Sequence, residues 1–207
     1  MNVLELFAGS RSFSKVAEEL GHETYTTDFK PFNKIDQVCD IFDFDVSKIP
    51  FKPDIVWASP PCYTFSVASI GHHWTGGHRA YIPKTEKAKI GLKMVQKTLD
   101  IINELNPKYY YIENPRGVLR KLDVVKGLQF RNTIWYCQYG DKRAKPTDIW
   151  TNDMQWIPRT VCHNGNSNCH HEPAPRGSKT GTQGLKGNYE RSIVPKELCE
   201  EILKGIK

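Results

Sequence analysis

The sequence predicts one open α/β fold of Rossmann-like type, with a mostly parallel sheet and a late antiparallel strand pair. Three observations carry this. Short apolar segments alternate with helix-period segments through most of the chain. The chemically distinctive residues fall at the ends of the apolar segments, where open α/β sheets bind ligands. Two late strand-like segments flank a short glycine-containing connection.

Residues 3–7 are a short apolar strand, and Ala8-Gly9-Ser10 turns the chain into a helix running to Leu20, with Ser10 or Ser12 as its cap. Gly21 ends that helix, and residues 22–27 make a second strand that finishes at Asp28. Residues 37–41 form a third element containing Asp40. Residues 54–58 form a fourth, which runs into Ser59-Pro60-Pro61-Cys62. Residues 63–84 show no periodicity, a loop length that is usually functional or disordered, and His72, His73 and His78 are expected as loop or substrate contacts. Helical spacing returns over 85–106, with Ile90, Met94, Val95, Leu99, Ile102 and Leu105 on the buried stripe, until Pro107 stops it. Residues 109–113 make another strand, with a short helix expected from Asn114-Pro115-Arg116. Residues 130–139 and 147–151 form the antiparallel pair. A final helix starts near Pro195, a residue tolerated in a first turn. The chain thus divides into a main domain (1–151), a Gly-, Asn-, Ser-, Pro- and His-rich insertion (152–190) and a returning helix (191–207).

At 207 residues the chain fits one domain that hides roughly 70% of its unfolded surface. No apolar run approaches the ~20 residues that span a bilayer, and the first residues lack the basic, then apolar, pattern of a signal peptide. Cys39, Cys62, Cys137, Cys162, Cys169 and Cys199 are scattered, as in a reduced cytoplasmic protein. Residues 1–115 carry a net charge of −1 and residues 116–207 a net of +7. A basic half suits phosphate contact, although a solvated surface gives the same balance.

The turn at Gly9 admits a cofactor close to the backbone, and an acid such as Asp28 about 20 residues on commonly holds an adenosine ribose. An ordinary βα turn with a solvated Asp looks the same. The two prolines before Cys62 hold a thiol rigidly at the sheet edge, as a structural cysteine or as a nucleophile. Glu113 ends the next core strand, where a partly desolvated carboxyl can donate or share a proton.

Together these motifs resemble the cytosine-C5 DNA methyltransferase family, and short viral members in particular. Leu4-Glu5-Leu6-Phe7-Ala8-Gly9 is similar to its cofactor motif, Ser59-Pro60-Pro61-Cys62 with Phe65-Ser66 to its catalytic motif, and Glu113-Asn114-Pro115 to its Glu-Asn motif. The likeness covers residues 1–151 in order and, more faintly, 189–203.

The resemblance implies an S-adenosylmethionine-dependent enzyme in which the Cys62 thiolate adds to C6 of a cytosine while Glu113 contacts N3 and the exocyclic amine. Phe7, Ala8, Gly9, Asp28, Phe29, Asp40, Ile41 and Pro60 (or Trp57 beside it) are then expected at the cofactor. Ser66, Asn114, Pro115, Arg116, Arg143 and Thr147 are expected at the substrate, with Lys145 joining the catalytic pair and residues 63–84 closing over the site. A cytosine in duplex DNA must be flipped out of the stack.

Four departures are visible. Gly9-Ser10-Arg11-Ser12 lacks the family's further glycine. Lys145 and Thr147 stand where two arginines are usual, and lysine is a point charge rather than a planar fork. Glu190-Arg191-Ser192 replaces Gly-Asn-Ser. The family's long target-recognition region is reduced to residues 152–190, which predicts short or relaxed sequence specificity. Single-stranded nucleic acid, RNA or a cytosine nucleotide is the alternative substrate, and a catalytically silent nucleic-acid-binding protein is the alternative class. Within the insertion, Cys162, His163, Cys169 and His171, with His170 as the alternative to His163, could form a tetrahedral zinc site, or could be incidental to a polar loop. Pro173-Ala174-Pro175-Arg176-Gly177 and Lys179 are candidate phosphate contacts.

Overall fold

Seven strands form one sheet in the computed structural model, which describes residues 1–77, 80–173, 185 and 187–206. In chain order the strands are β1 (Asn2–Leu6), β2 (Glu23–Asp28), β3 (Gln37–Val38), β4 (Ile55–Ala58), the small hairpin β5 (Trp74–Thr75) and β6 (Ile82–Pro83), then β7 (Tyr109–Pro115), β8 (Phe130–Trp135) and β9 (Pro146–Thr151). The sheet order is β3-β2-β1-β4-β7-β9-β8. Its first five strands are parallel, and β9 runs antiparallel to both β7 and β8. The predicted α/β class and the late antiparallel pair are therefore both present.

Period-two alternation sorts the sheet's side chains into two cores. Leu4 and Leu6 of β1, Val56 and Ala58 of β4 and Ile112 of β7 point to one face, where α3 (Glu86–Leu105) covers them with Val95, Leu99 and Ile102. Val3, Ile55, Trp57, Tyr111 and Ile149 point to the other. There α1 (Ser12–Glu19) contributes Phe13, Val16 and Ala17, and α5 (Lys196–Gly205) contributes Leu198, Cys199 and Ile202. Phe13 stacks on Trp57 with ring centroids 4.6 Å apart. Helices on both faces leave the carboxyl ends of the parallel strands as the open edge.

Several local expectations are corrected. Neither Ser10 nor Ser12 caps α1. Arg11 occupies the cap position in the left-handed region (φ 54°) without a side-chain cap, and the two hydroxyls bond each other at 2.7 Å. The carboxylate of Glu5, buried on β1, instead accepts the Phe13 and Ser14 amides at 3.4 and 2.8 Å. Its two carboxyl oxygens each take one helix-end amide, and burial pushes that carboxyl up.

No helix starts at Asn114, because β7 keeps pairing with β9 through Pro115↔Thr147 and two short 3-10 turns follow. Ile90 lies outside the buried stripe of α3, which runs through Ala88, Gly91, Val95, Thr98 and Ile102. Residues 63–84 carry the β5–β6 hairpin and the turn α2 (Ile70–His73), and Trp74 is buried with its indole N–H on the Thr64 carbonyl at 2.6 Å. A further short helix, α4 (Asn188–Ser192), precedes α5. Among the described residues, no helix is long and apolar enough to cross a membrane.

Candidate active site

The segment after β4 is held from both sides. The Trp57 indole donates to Ser59 Oγ at 2.9 Å, and the buried Asn114 amide donates to the Pro60 carbonyl at 2.9 Å. The Phe65 and Ser66 amides turn back onto the Cys62 carbonyl at 3.0 and 3.1 Å. Val118 then donates to the Phe65 carbonyl at 2.8 Å, and Ser66 bridges Gly117. Gly117 permits that approach, since a Cβ there would sit 2.1 Å from the Phe65 carbonyl oxygen. The half-buried Cys62 is thus fixed at the sheet edge.

Register sets its neighbours. Ala58 pairs with Ile112, so the residues beyond the end of β4 run beside Glu113 and Asn114. Glu113 Oε1 accepts the Tyr136 hydroxyl at 2.9 Å and lies 3.5 Å from Lys145 Nζ, with both charged side chains nearly buried. Lys145 also donates to the Arg191 carbonyl at 3.3 Å and sits 4.4 Å above the Tyr136 ring. Burial pushes the Cys62 thiol above its ordinary value; Lys145 and Arg191 oppose that shift, and Glu113 reinforces it. Tyr136 is pushed well up by burial and by the neighbouring carboxylate, so it stays a donor to Glu113.

The structure therefore brings Cys62, Glu113 and Lys145 together, as expected, and adds Tyr136 and Arg191. Tyr136 escaped sequence reading because β8 stops at Trp135, and the 3-10 turn Tyr136–Tyr139 swings the phenol inward. Nothing in the local sequence signals that break.

The expected substrate residues divide. Arg116 is exposed, 5.5 Å from the Trp135 ring, and Ser66 Oγ lies 3.0 Å from Ser69 Oγ. Pro115 and Thr147 pair across β7 and β9, and the buried Thr147 donates to the Lys145 carbonyl at 3.2 Å. Arg143 is buried, and all five of its guanidinium donors are engaged, by the Asp141 carboxylate and by the carbonyls of Glu190, Arg191 and Ile193. In this arrangement it clamps the returning chain. Of the loop histidines, His73 is buried with Nδ1 2.7 Å from Thr85 Oγ1. His78, Ala174, Pro175, Arg176, Gly177 and Lys179 lie outside the described residues.

The cofactor candidates line the same edge. Phe7 and Gly9 both take left-handed backbone (φ 57° and 46°), which glycine adopts freely and which at Phe7 is strain of the kind that concentrates at functional turns. The Gly9 amide donates to Asp28 Oδ2 at 3.0 Å and the Lys30 amide to Oδ1 at 3.0 Å, and burial pushes the Asp28 carboxyl up. Phe29 stands 65% exposed beside that acid, an apolar ring in an open position. Asp40 is exposed and caps the 3-10 turn Ile41–Asp43, while Ala8, Ile41 and Pro60 are buried beneath. A left-handed glycine turn, two acids and an open aromatic ring are a donor set that fits an adenosine-bearing cofactor.

The cysteine–histidine cluster also forms, with one change. Its members are Cys137, Cys162, Cys169 and His171, whose ligand atoms all lie within 4.8 Å of one another. His163 lies outside this cluster, exposed, with Nδ1 3.2 Å from the Asn164 carbonyl. His170 is exposed too, with Nε2 3.1 Å from the Asp141 carbonyl. Cys137 was missed because it lies 25 residues before Cys162, in another element.

This sheet order, with the parallel strands' carboxyl ends as its open edge, defines an α/β fold of Rossmann-like type. The fold is shared with a protein described as a DNA modification methyltransferase encoded within an E. coli prophage (TM-score 0.53, 13% identity, 79% of this chain and 52% of that one) and with the S. pombe Dnmt2 methyltransferase (TM-score 0.51, 13% identity, 76% and 52%). The chain spans about half the length of those two proteins. Residues 1–134 match the model of the C-5 cytosine-specific DNA methylase family, and the chain belongs to that family. The "Probable DNA (cytosine-5)-methyltransferase" of Frog virus 3 (isolate Goorha) is 29% identical over 219 residues, covering 98% of this chain and 99% of that protein.

Proposed function

We propose that the protein methylates C5 of cytosine in DNA, using Cys62 as a covalent nucleophile. The observation that carries this reading is the grouping of Cys62, Glu113 and Lys145 at one sheet edge in a chain of this family. S-adenosylmethionine, expected for the family, supplies the methyl group. Asp28 and Asp40 are the acids suited to its ribose and adenine, Phe29 offers a stacking face, and Phe7, Ala8, Gly9, Ile41 and Pro60 form the wall.

The Cys62 thiolate forms a bond to C6 of the flipped cytosine, and the displaced electron pair makes C5 nucleophilic. Glu113 holds N3 and the exocyclic amine; both of its protein contacts fall on Oε1, which leaves Oε2 oriented by them for the base. Lys145 offsets the charge that develops beside the pair. After C5 takes the methyl group, loss of its proton returns the electron pair, and the Cys62–C6 bond breaks. Ser66, Asn114, Pro115, Arg116 and Thr147 shape the base site, Asn114 through its hold on Pro60.

Residues 152–190 stand in place of a full recognition region, between a catalytic part (1–151) and the returning segment 191–207. The Frog virus 3 protein aligns over 99% of its own length, and short or relaxed specificity is proposed here from the small size of that segment. The proposed location is the cytoplasm, or that of the host if the chain is viral.

Labelled S-adenosylmethionine offered with duplex DNA, single-stranded DNA, RNA or dCMP tests the reading. Transfer to duplex DNA that vanishes in Cys62→Ala is expected. Transfer to RNA or dCMP alone would move the substrate, and DNA binding without transfer to any substrate would make the chain a binding protein.

A further inference from the structure

We infer that Cys137, Cys162, Cys169 and His171 bind one structural zinc ion, which fastens the insertion to the β8–β9 connection. Tetrahedral zinc, with Zn–S of about 2.3 Å and Zn–N of about 2.0–2.1 Å, has ligand–ligand edges of roughly 3.5–3.8 Å. The four ligand atoms lie within 4.8 Å of one another, and Cys162 Sγ is 3.8 Å from His171 Nδ1. Modest side-chain rotation closes that set on an ion. Cys137, Cys162 and His171 are buried, where three thiols and an imidazole have little other reason to converge.

Cys137 and Cys162 lie 4.0 and 3.6 Å from the Ala144 and His163 carbonyls, which they can meet as thiols, and amide donors also face the sulfurs. Gln138 Nε2 donates to both Cys137 Sγ and Cys169 Sγ at 3.8 Å, and Asn166 Nδ2 donates to Cys162 Sγ at 3.4 Å. Each sulfur therefore has an amide N–H directed at it, the outer-shell contact that stabilises a negative ligand. Binding displaces three thiol protons and leaves the Cys3His site with one net negative charge, which those donors offset. A cavity of about 650 Å³, lined by Cys137, Gln138, Asn166 and Cys169 among others, opens beside the cluster and gives an ion its entry.

The ligands join two parts of the chain. Cys137 sits in the 3-10 turn that follows β8, while the other three belong to the insertion. Directly after His171, the Glu172 amide donates to the Lys142 carbonyl at 2.9 Å, beside the Arg143 clamp. Zinc would thus fix the insertion against the turn that leads to Lys145. Among the insertion's described residues, Trp156 and Cys162 are the apolar ones buried, so a metal staple would add to a small anchor.

The test uses the full-length protein and no activity measurement, so it stands or falls separately from the proposed reaction. Purified protein is assayed for bound zinc, and the thiol reagent p-chloromercuribenzoate is used to release it. One zinc per chain is expected, falling more than tenfold in Cys137→Ser and unchanged in His163→Ala. If Cys137→Ser fails to fold, refolding the wild-type chain with cobalt(II) should give the thiolate charge-transfer bands of a tetrahedral site. The inference is overturned by protein that takes up neither zinc nor cobalt, by full zinc in Cys137→Ser with loss in His163→Ala, or by a disulfide among the three cysteines.

Discussion

Lys145 Nζ stands 3.5 Å from Glu113 Oε1, with the two side chains only 9% and 7% exposed. The carboxylate near the end of β7 is thus fixed by a cation at the last residue of the β8–β9 connection, and Tyr136, at that connection's first residue, holds the same oxygen. Glu113→Gln keeps the shape but changes the proton inventory at the base. It is expected to lower kcat by about 10²–10⁴ with little change in cofactor affinity. Single-turnover methylation and equilibrium cofactor binding, measured side by side, check this.

Lys145→Met should act on Cys62 as well. Burial already raises the thiol, and Lys145 is the foremost group opposing that shift. Removing it drives the thiol further up, so iodoacetamide should alkylate Cys62 more slowly at neutral pH than in the wild type. Equal rates would mean that the ammonium does not reach the thiol.

The wild-type pH dependence follows from the same shift. A thiol raised above its ordinary value of 9.0 is mostly protonated at neutrality and ionises only as pH rises through the higher value. Alkylation of Cys62 should therefore keep climbing past pH 9 in the substrate-free enzyme. A plateau reached below pH 8 would show a thiol lowered, not raised.

Asn114→Ala should loosen the nucleophile. Its amide is the tether on the Pro60 carbonyl, and losing a buried hydrogen bond costs about 1–3 kcal/mol. The expected result is a lower unfolding midpoint together with a slower chemical step. A variant with lowered stability but unchanged single-turnover rate would reduce Asn114 to a packing residue.

Arg143→Lys tests the clamp on the returning chain. A lysine offers three donors and no planar fork, so the contacts to Asp141 and to the Glu190, Arg191 and Ile193 carbonyls cannot all survive. A loss of roughly 2–3 kcal/mol is expected, with proteolysis of the 185–195 region preceding global unfolding. Denaturant melts and timed digestion read both.

Much of this was legible in the sequence, for identifiable reasons. The strands that carry Gly9, Asp28, Cys62 and Glu113 are short apolar runs closed by glycine, acid or proline, and a parallel sheet must bring their ends to one edge. What stayed hidden depends on contacts between distant segments. Glu5 reads as a charge within a strand, yet it caps α1. Tyr136 reads as strand, yet it turns inward onto Glu113. Arg143 reads as a nucleic-acid contact, and its hold on Asp141 and three carbonyls emerges only in the fold. Cys137 joins the insertion's ligands only once the chain has folded.

Incubating the protein with S-adenosylmethionine and duplex DNA containing 5-fluorocytosine tests the central claim most directly, because fluorine at C5 blocks the final elimination. A covalent protein–DNA adduct that maps by mass spectrometry to the peptide containing Cys62, and is absent from Cys62→Ala, is predicted. Methylation of ordinary cytosine by Cys62→Ala, or an adduct mapping to another residue, would contradict it.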